Sequence, residues 1–192
     1  MSQIQEQEHF IVYCGDGRLF HNDSGEETRH IQYVKEILHE TGYKASQFTA
    51  QEDMRTRMQL VDAFNKGTID AMVAIRCLDE GINIPSIKGA LILSSNDDYR
   101  EFVQRRGRIL RTYTDEMSGE RKQIANIYDV IVLPSGHMSN FALIELRRFY
   151  EYLRLADNST DHMDSLEELC ARYGIDQEAL MELDENEEDL DE

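Results

Sequence analysis

No part of this sequence comes near the roughly 20 consecutive apolar residues that a bilayer-spanning helix requires. Residues 1–8 are polar and carry no apolar signal core, so neither secretion nor a membrane partner is expected. Cysteine is scarce. Cys14, Cys77 and Cys170 are widely spaced, odd in number and form no C-x-x-C pair. A simple disulfide framework is excluded, and reduced thiols in a cytoplasmic setting are expected. The histidines His9, His21, His30, His39, His137 and His162 show no ligand spacing with cysteine or one another, so no metal site is expected. His30 and His39 are expected on a helix surface. Ser24, Ser135 and Ser139 lie in no nucleophile elbow. Two further absences bear on nucleotides. There is no G-x-x-x-x-G-K-[ST] phosphate loop, and no D-E-x-[DH] run leading to an apolar strand.

What is present is a normally hydrophobic composition, 41%, on a chain of 192 residues. That suits one domain with an appendage. The formal charge of −18 is unevenly placed. Residues 161–192 hold 14 acidic residues against one basic residue, Arg172, a net of −13 that leaves −5 on everything before them. The main domain is therefore nearly balanced, and its arginines are clustered. The acidic end is expected to serve solubility or to begin a further domain. Residues 184–192 (DENEEDLDE) are predicted disordered.

The chain then alternates between two periods. Residues 9–14 (HFIVYC) are β-formers closed by Gly15-Asp16-Gly17, a buried strand feeding a loop. Ile31, Val34, Ile37 and Leu38 predict a helix within residues 26–40, ended by Gly42. Residues 43–49 read as a second strand. Asp53 can cap a helix over residues 54–66, with Met58, Val61 and Phe64 on its inner face and Gly67 beyond its end. Residues 69–75, 90–93 and 123–133 are three more strands, and residues 99–106 a short helix. Residues 138–155, 165–173 and 176–183 are further helices. Apolar, unalternated strands separated by helices predict an α/β fold with a parallel sheet covered on both faces. Its functional loops should leave the carboxyl ends of the strands, at residues 15–22, 49–53, 76–85 and 94–98. The apolar face that includes Phe141, Ile144, Leu146 and Leu155 could pack on the domain's own sheet or dock a partner.

Two segments could carry chemistry. In residues 104–111 (QRRGRILR), Gln104, Arg108 and Arg111 fall on one helical stripe, and Gly107 permits close approach of a backbone or a phosphate. Such a stripe suits a polyanion, phosphoryl groups above all, or is a solvated face paired with nearby acids. In residues 73–85 (VAIRCLDEGINIP) a strand runs into a polar turn.

In this order and spacing, the two segments resemble motifs V and VI of superfamily 2 helicases. Gln104, Gly107, Arg108 and Arg111 match all four positions of the motif VI pattern Q-x-x-G-R-x-x-R. Residues 74–85 look like motif V in its C-L-D-E-G form, seen in motors related to DNA repair and restriction. Residues 11–17 (IVYCGDG) are similar to motif IV, and Thr49, Arg55, Phe64 and Gly67 match the weaker pattern between IV and V. The resemblance covers residues 10–133. It implies a RecA-like, P-loop NTPase-type lobe with a doubly wound parallel sheet and flanking helices at residues 1–136. A C-terminal helical extension at 137–183 and the acidic tail at 184–192 would follow.

The resemblance also implies a partner, the N-terminal RecA-like lobe of the same protein, which would hold most of the ATP and Mg²⁺. Arg108 and Arg111 would be the arginine fingers, and Gln104 would touch the phosphate region. Gly81, Asn83 and Gly107 would lie near the nucleotide, Asn83 standing where the family usually has Asp. Gly15, Asp16, Gly17, Arg18, Thr49 and Arg76 would face the nucleic-acid backbone. Arg76 or Ile75 occupies the place of the family's usual Thr or Ser. The C-L-D-E-G form favours DNA over RNA. Lacking a phosphate loop, the chain is expected to be part of a longer ATP-dependent helicase or translocase, with no tightly bound cofactor and no ATPase activity alone. A non-catalytic RecA-like module that recruits a partner is the alternative.

Overall fold

Strand β1, Phe10–Tyr13, is apolar throughout and wholly buried, as a central strand with both faces covered must be. The computed structural model describes residues 9–20, 27–75, 84, 86–93, 107, 109–114, 119, 121–135, 139–178 and 180. They divide into two units, Met1–Val130 and Ile131–Glu192.

In the first unit, β4 (Ala45–Phe48), β5 (Ala71–Ala74), β6 (Gly89–Ile92) and β9 (Asn126–Asp129) join β1 in a five-stranded sheet of order β4-β5-β1-β6-β9. Every pairing in it is parallel. Helix α1 (His30–Glu40) carries the chain from β1 out to β4, and α2 (Met54–Asn65) brings it back to β5. Right-handed crossovers running in opposite directions place the two helices on opposite faces. Ile31, Val34 and Leu38 of α1 pack with Phe10, Val12, Cys14, Ala71 and Val73, which alternate along their strands onto one face. The expected doubly wound parallel sheet is what is found.

Several local expectations need correction. The segment 15–22 is not simply a loop, and the helix of 26–40 begins late. Arg18–Phe20 is strand β2, and Glu27–Arg29 is strand β3, paired with it antiparallel. Helix α1 starts only at His30, whose amide donates to the Gly17 carbonyl at 2.9 Å. On α2, the Asp53 carboxylate accepts from the Thr56 amide at 2.7 Å, as expected of a cap. That backbone bond holds its pKa below the ordinary carboxylate value. The helix's inner stripe is different, however. Arg57 and Phe64 are its buried residues, while Met58 is 67% exposed. Residues 57 and 64 lie two turns apart on one side, and Met58 points about 100° away from them. The strand of 123–133 shrinks to β9, because Leu133 belongs to the core of the second unit. A two-stranded ribbon, β7 (Tyr113–Thr114) with β8 (Arg121–Lys122), precedes it.

The second unit pairs α3 (Ser139–Leu153) with α4 (Ser159–Tyr173). Leu146 and Leu153 of α3 bury against Leu166 and Cys170 of α4, so the apolar face of α3 meets a helix. Phe141, Ile144 and Leu155 stay exposed. The buried Glu145 carboxylate accepts from the Arg148 guanidinium at 2.9 and 3.0 Å and from the Val132 amide at 3.0 Å, tying the entry segment to α3. Helix α4 starts six residues earlier than expected. It ends at Gly174 in the left-handed region, φ 65°, where Ile175 N–H reaches the Cys170 carbonyl. The expected helix at 99–106, the loop at 94–98 and the tail at 184–192 lie outside the described residues.

Candidate nucleic-acid interface

Parallel strands aim their carboxyl ends at one edge of the sheet, so the loops after adjacent strands share a rim. At that rim β4, β5 and β1 are neighbours, and the chain leaving them borders a groove of about 600 Å³. Asp16 and Arg18 come from the segment after β1. Arg29, Ile31 and Gln32 come from the end of β3 and the first turn of α1. Gln47, Thr49, Ala50 and Gln51 come from β4 and the turn beyond it, and Ile75 follows β5.

The floor of the groove is fixed by local bonds. Cys14 N–H donates to the Ala74 carbonyl at 3.0 Å, locking the exit of β1 beside that of β5. In the turn after β4, the Glu52 carboxylate accepts from the Thr49 amide at 2.5 Å and from the Thr49 hydroxyl at 2.7 Å. Gln47 Nε2 reaches its other oxygen at 3.4 Å. The Thr49 hydroxyl oxygen in turn accepts from the Gln51 amide at 3.2 Å. Both donors of Thr49 are thus committed to Glu52.

Of the residues expected to face a nucleic-acid backbone, Asp16, Arg18 and Thr49 border this one groove. Gly15 and Gly17 lie between β1 and β2, and a Cβ at Gly17 would meet nothing within 4 Å. Arg76 lies outside the described residues, although Ile75, just before it, borders the groove. Arg29, Gln32, Gln47 and Gln51 border the groove as well and belong to no motif in the sequence. Only the hairpin brings Arg29 to the rim, and no sequence period announced that hairpin.

Of the residues expected near ATP, Gln104, Arg108, Gly81 and Asn83 lie outside the described residues. Gly107 and Arg111 are exposed, and the groove's walls include neither. A Cβ at Gly107 would meet nothing within 4 Å. Lys122 of β8 is half-buried and donates from Nζ to the Ile109 carbonyl, two residues before Arg111. Among the described residues no group of His, Cys, Asp and Glu could hold a metal ion. No described helix is long and apolar enough to cross a membrane.

A five-stranded parallel sheet with helices on its faces and a groove across the strands' carboxyl ends defines a RecA-like lobe. Two solved structures share this fold. The yeast DEAD-box splicing factor Prp28 superposes with a TM-score of 0.55 over 90% of this chain and 32% of its own, at 12% identity. The C-terminal part of the Fun30 ATPase domain gives 0.52 over 72% of this chain and 39% of its own, at 14% identity. Residues 4–113, more than half of the chain, match the helicase conserved C-terminal domain, and the chain belongs to that family. Among curated relatives, the ATP-dependent RNA helicase RhlB of Aeromonas hydrophila is 29% identical over 82 residues, 42% of this chain and 19% of that protein. The DEAD-box ATP-dependent RNA helicase 1 of Oryza sativa subsp. japonica is 24% identical over 155 residues, 80% of this chain and 26% of that protein. The chain thus spans about a fifth to a quarter of these relatives' lengths. It is the C-terminal lobe of the superfamily 2 helicase type.

Proposed function

We propose that this lobe works in an ATP-dependent nucleic-acid helicase or translocase, with the rim groove following the backbone of one strand. The observation that carries the reading is convergence. Asp16 and Arg18, Thr49, and Ile75 are distant in sequence and border one groove at the carboxyl ends of adjacent strands. Guanidinium and amide donors suit sequence-independent backbone contact. The named relatives favour RNA, and the C-L-D-E-G form of residues 77–81 favours DNA. Backbone chemistry is common to both.

The nucleotide side of the proposal rests on Arg108, Arg111 and Gln104. ATP with Mg²⁺, when bound, supplies the free energy of phosphoanhydride hydrolysis. The exposure of Arg111 supports a role toward an anion held by another lobe. A Cβ at Gly107 would meet nothing within 4 Å, which supports close approach of a phosphate there. Gly81 and Asn83 are proposed near the ribose, and Gly15, Gly17 and Arg76 along the strand. A cytoplasmic setting belongs to the same proposal, on the sequence's few, widely spaced cysteines.

Two measurements on the full chain test this reading. Fluorescence anisotropy with labelled oligo(U) and oligo(dT) should show binding that weakens steeply with salt and is indifferent to base composition. An ATPase assay with either strand should show no turnover. Salt-independent binding, or turnover abolished by Arg108→Ala in this chain alone, would overturn it.

A further inference from the structure

Arg111 stands in the middle of an arch whose two feet meet one residue. Gly107 and Ile109 are helical, and Ile109 is fully buried. Leu110, Arg111 and Thr112 are exposed, and regular structure resumes at Tyr113, the first residue of β7. In the β7–β8 ribbon Tyr113 lies directly opposite Lys122. The Lys122 side chain reaches the other foot, donating from Nζ to the Ile109 carbonyl. Lys122 therefore closes the arch twice, by strand pairing at residue 113 and by its side chain at residue 109. The Ile109 carbonyl ends a helical turn, where carbonyls lack partners within the helix and the dipole favours a cation. An ammonium in this place carries a penalty. Lys122 is half-buried, and burial lowers its pKa from 10.5 to about 8. An apolar side chain would fill the same space without that penalty. What the ammonium adds is a charge-assisted bond to one carbonyl.

We infer that Lys122 is a positioning residue for Arg111: it fixes the arch of residues 109–113, so that the guanidinium is presented to a phosphate group from one backbone conformation. This inference rests on the reading of Arg111 as a ligand for a nucleotide held by another lobe. An arginine on a loose arch binds an anion only in the fraction of conformations that can reach it, and its apparent affinity falls by that fraction. Holding both feet of the arch removes the backbone share of that loss before the anion arrives. Lys122 touches no nucleotide in this scheme and acts through Arg111 alone.

The test uses the full chain at pH 7 and low salt, NMR relaxation of backbone amides and arginine Nε–H groups, and inorganic tripolyphosphate as the anion. In the unsubstituted protein the Arg111 amide should have an order parameter of about 0.85, and tripolyphosphate should shift the Arg111 Nε–H resonance. Lys122→Met should lower that order parameter below about 0.6. It should also weaken tripolyphosphate binding about threefold, as when the competent arch is populated about a third of the time. Lys122→Arg can donate to the same carbonyl and should restore most of both. Melting temperatures of the three proteins should agree within about 4 °C, a small shift for a chain of this size. Lys66→Met removes an exposed lysine at the end of α2 and should match the unsubstituted protein in every readout. If tripolyphosphate shifts Arg111 and Lys122→Met changes neither order nor affinity, the positioning role is wrong while the nucleotide reading stands. If Lys122→Met loses order throughout the sheet together with melting temperature, or Lys122→Arg restores nothing, Lys122 is a structural residue and the role is again wrong. If tripolyphosphate leaves Arg111 unmoved in the unsubstituted protein, the nucleotide reading fails and the positioning role falls with it.

Discussion

Lys122 joins the ribbon before β9 to the segment that carries Arg111, and it does so as a half-buried ammonium. Burial penalises its charge and lowers its pKa from 10.5 to about 8. Between those two values the unfolded chain keeps a proton that the folded chain has released. Stability linked to this group should therefore rise as pH increases from about 8 to 10.5, and be flat below about 8. Thermal melts across that range should show the rise in the unsubstituted protein, and Lys122→Met should flatten it. An unsubstituted protein losing stability over the same window through this residue would contradict the assignment. Other single residues resist sequence reading for a related reason. Arg57 is 8% exposed beneath α2, whereas Met58 beside it faces solvent. Composition alone ranks methionine as core and arginine as surface. The long aliphatic stem of arginine can fill the buried stripe instead, and only the helix's rotation reveals which residue lies inward.

At the scale of elements, α2 provides a paired test. Phe64 is fully buried and packs edge-on against the His9 ring, with centroids 5.3 Å apart. Phe64→Ala should cost about 3–5 kcal/mol in denaturant unfolding. Met58→Ala, on the exposed face of the same helix, should stay within about 0.5 kcal/mol. Equal losses at the two sites would mean the helix is rotated. The elements that sequence made legible are those with a strong period: the buried strands β1 and β5, the Ile31–Val34–Leu38 stripe, and the Asp53 cap. The hairpin of β2 and β3 was not legible. Each strand spans three residues, includes an arginine, and offers too few positions for an alternation to register. The ribbon of β7 and β8 has two residues in each strand and was hidden for the same reason. The apolar period marks helix α4 only from residue 165, because residues 159–164 (STDHMD) contain one apolar residue, Met163. That turn forms because it continues a helix whose Leu166 and Cys170 face α3.

For the molecule as a whole, the alternation of strand and helix specified a parallel doubly wound sheet, and the motif spacing specified the helicase family. The groove was legible only in part. Asp16, Arg18 and Thr49 could be placed at strand exits, because parallel strands force those exits onto one rim. Their neighbours Arg29, Gln32, Gln47 and Gln51 depend on a hairpin and on turn geometry that no motif encodes. The boundary between the two units falls after Val130, where the helical C-terminal unit begins to claim Val132 and Leu133.

The central claim is that the rim groove is where this lobe meets a nucleic-acid strand. Amide and side-chain NMR of the full chain, titrated with an unlabelled oligo(U) or oligo(dT), tests it most directly. The account predicts that shifts concentrate at Arg18, Arg29, Gln32, Gln47, Gln51 and Ile75. Shifts confined to Ser139–Leu153 and Ser159–Tyr173, with the groove residues unmoved by a strand that binds, would contradict it.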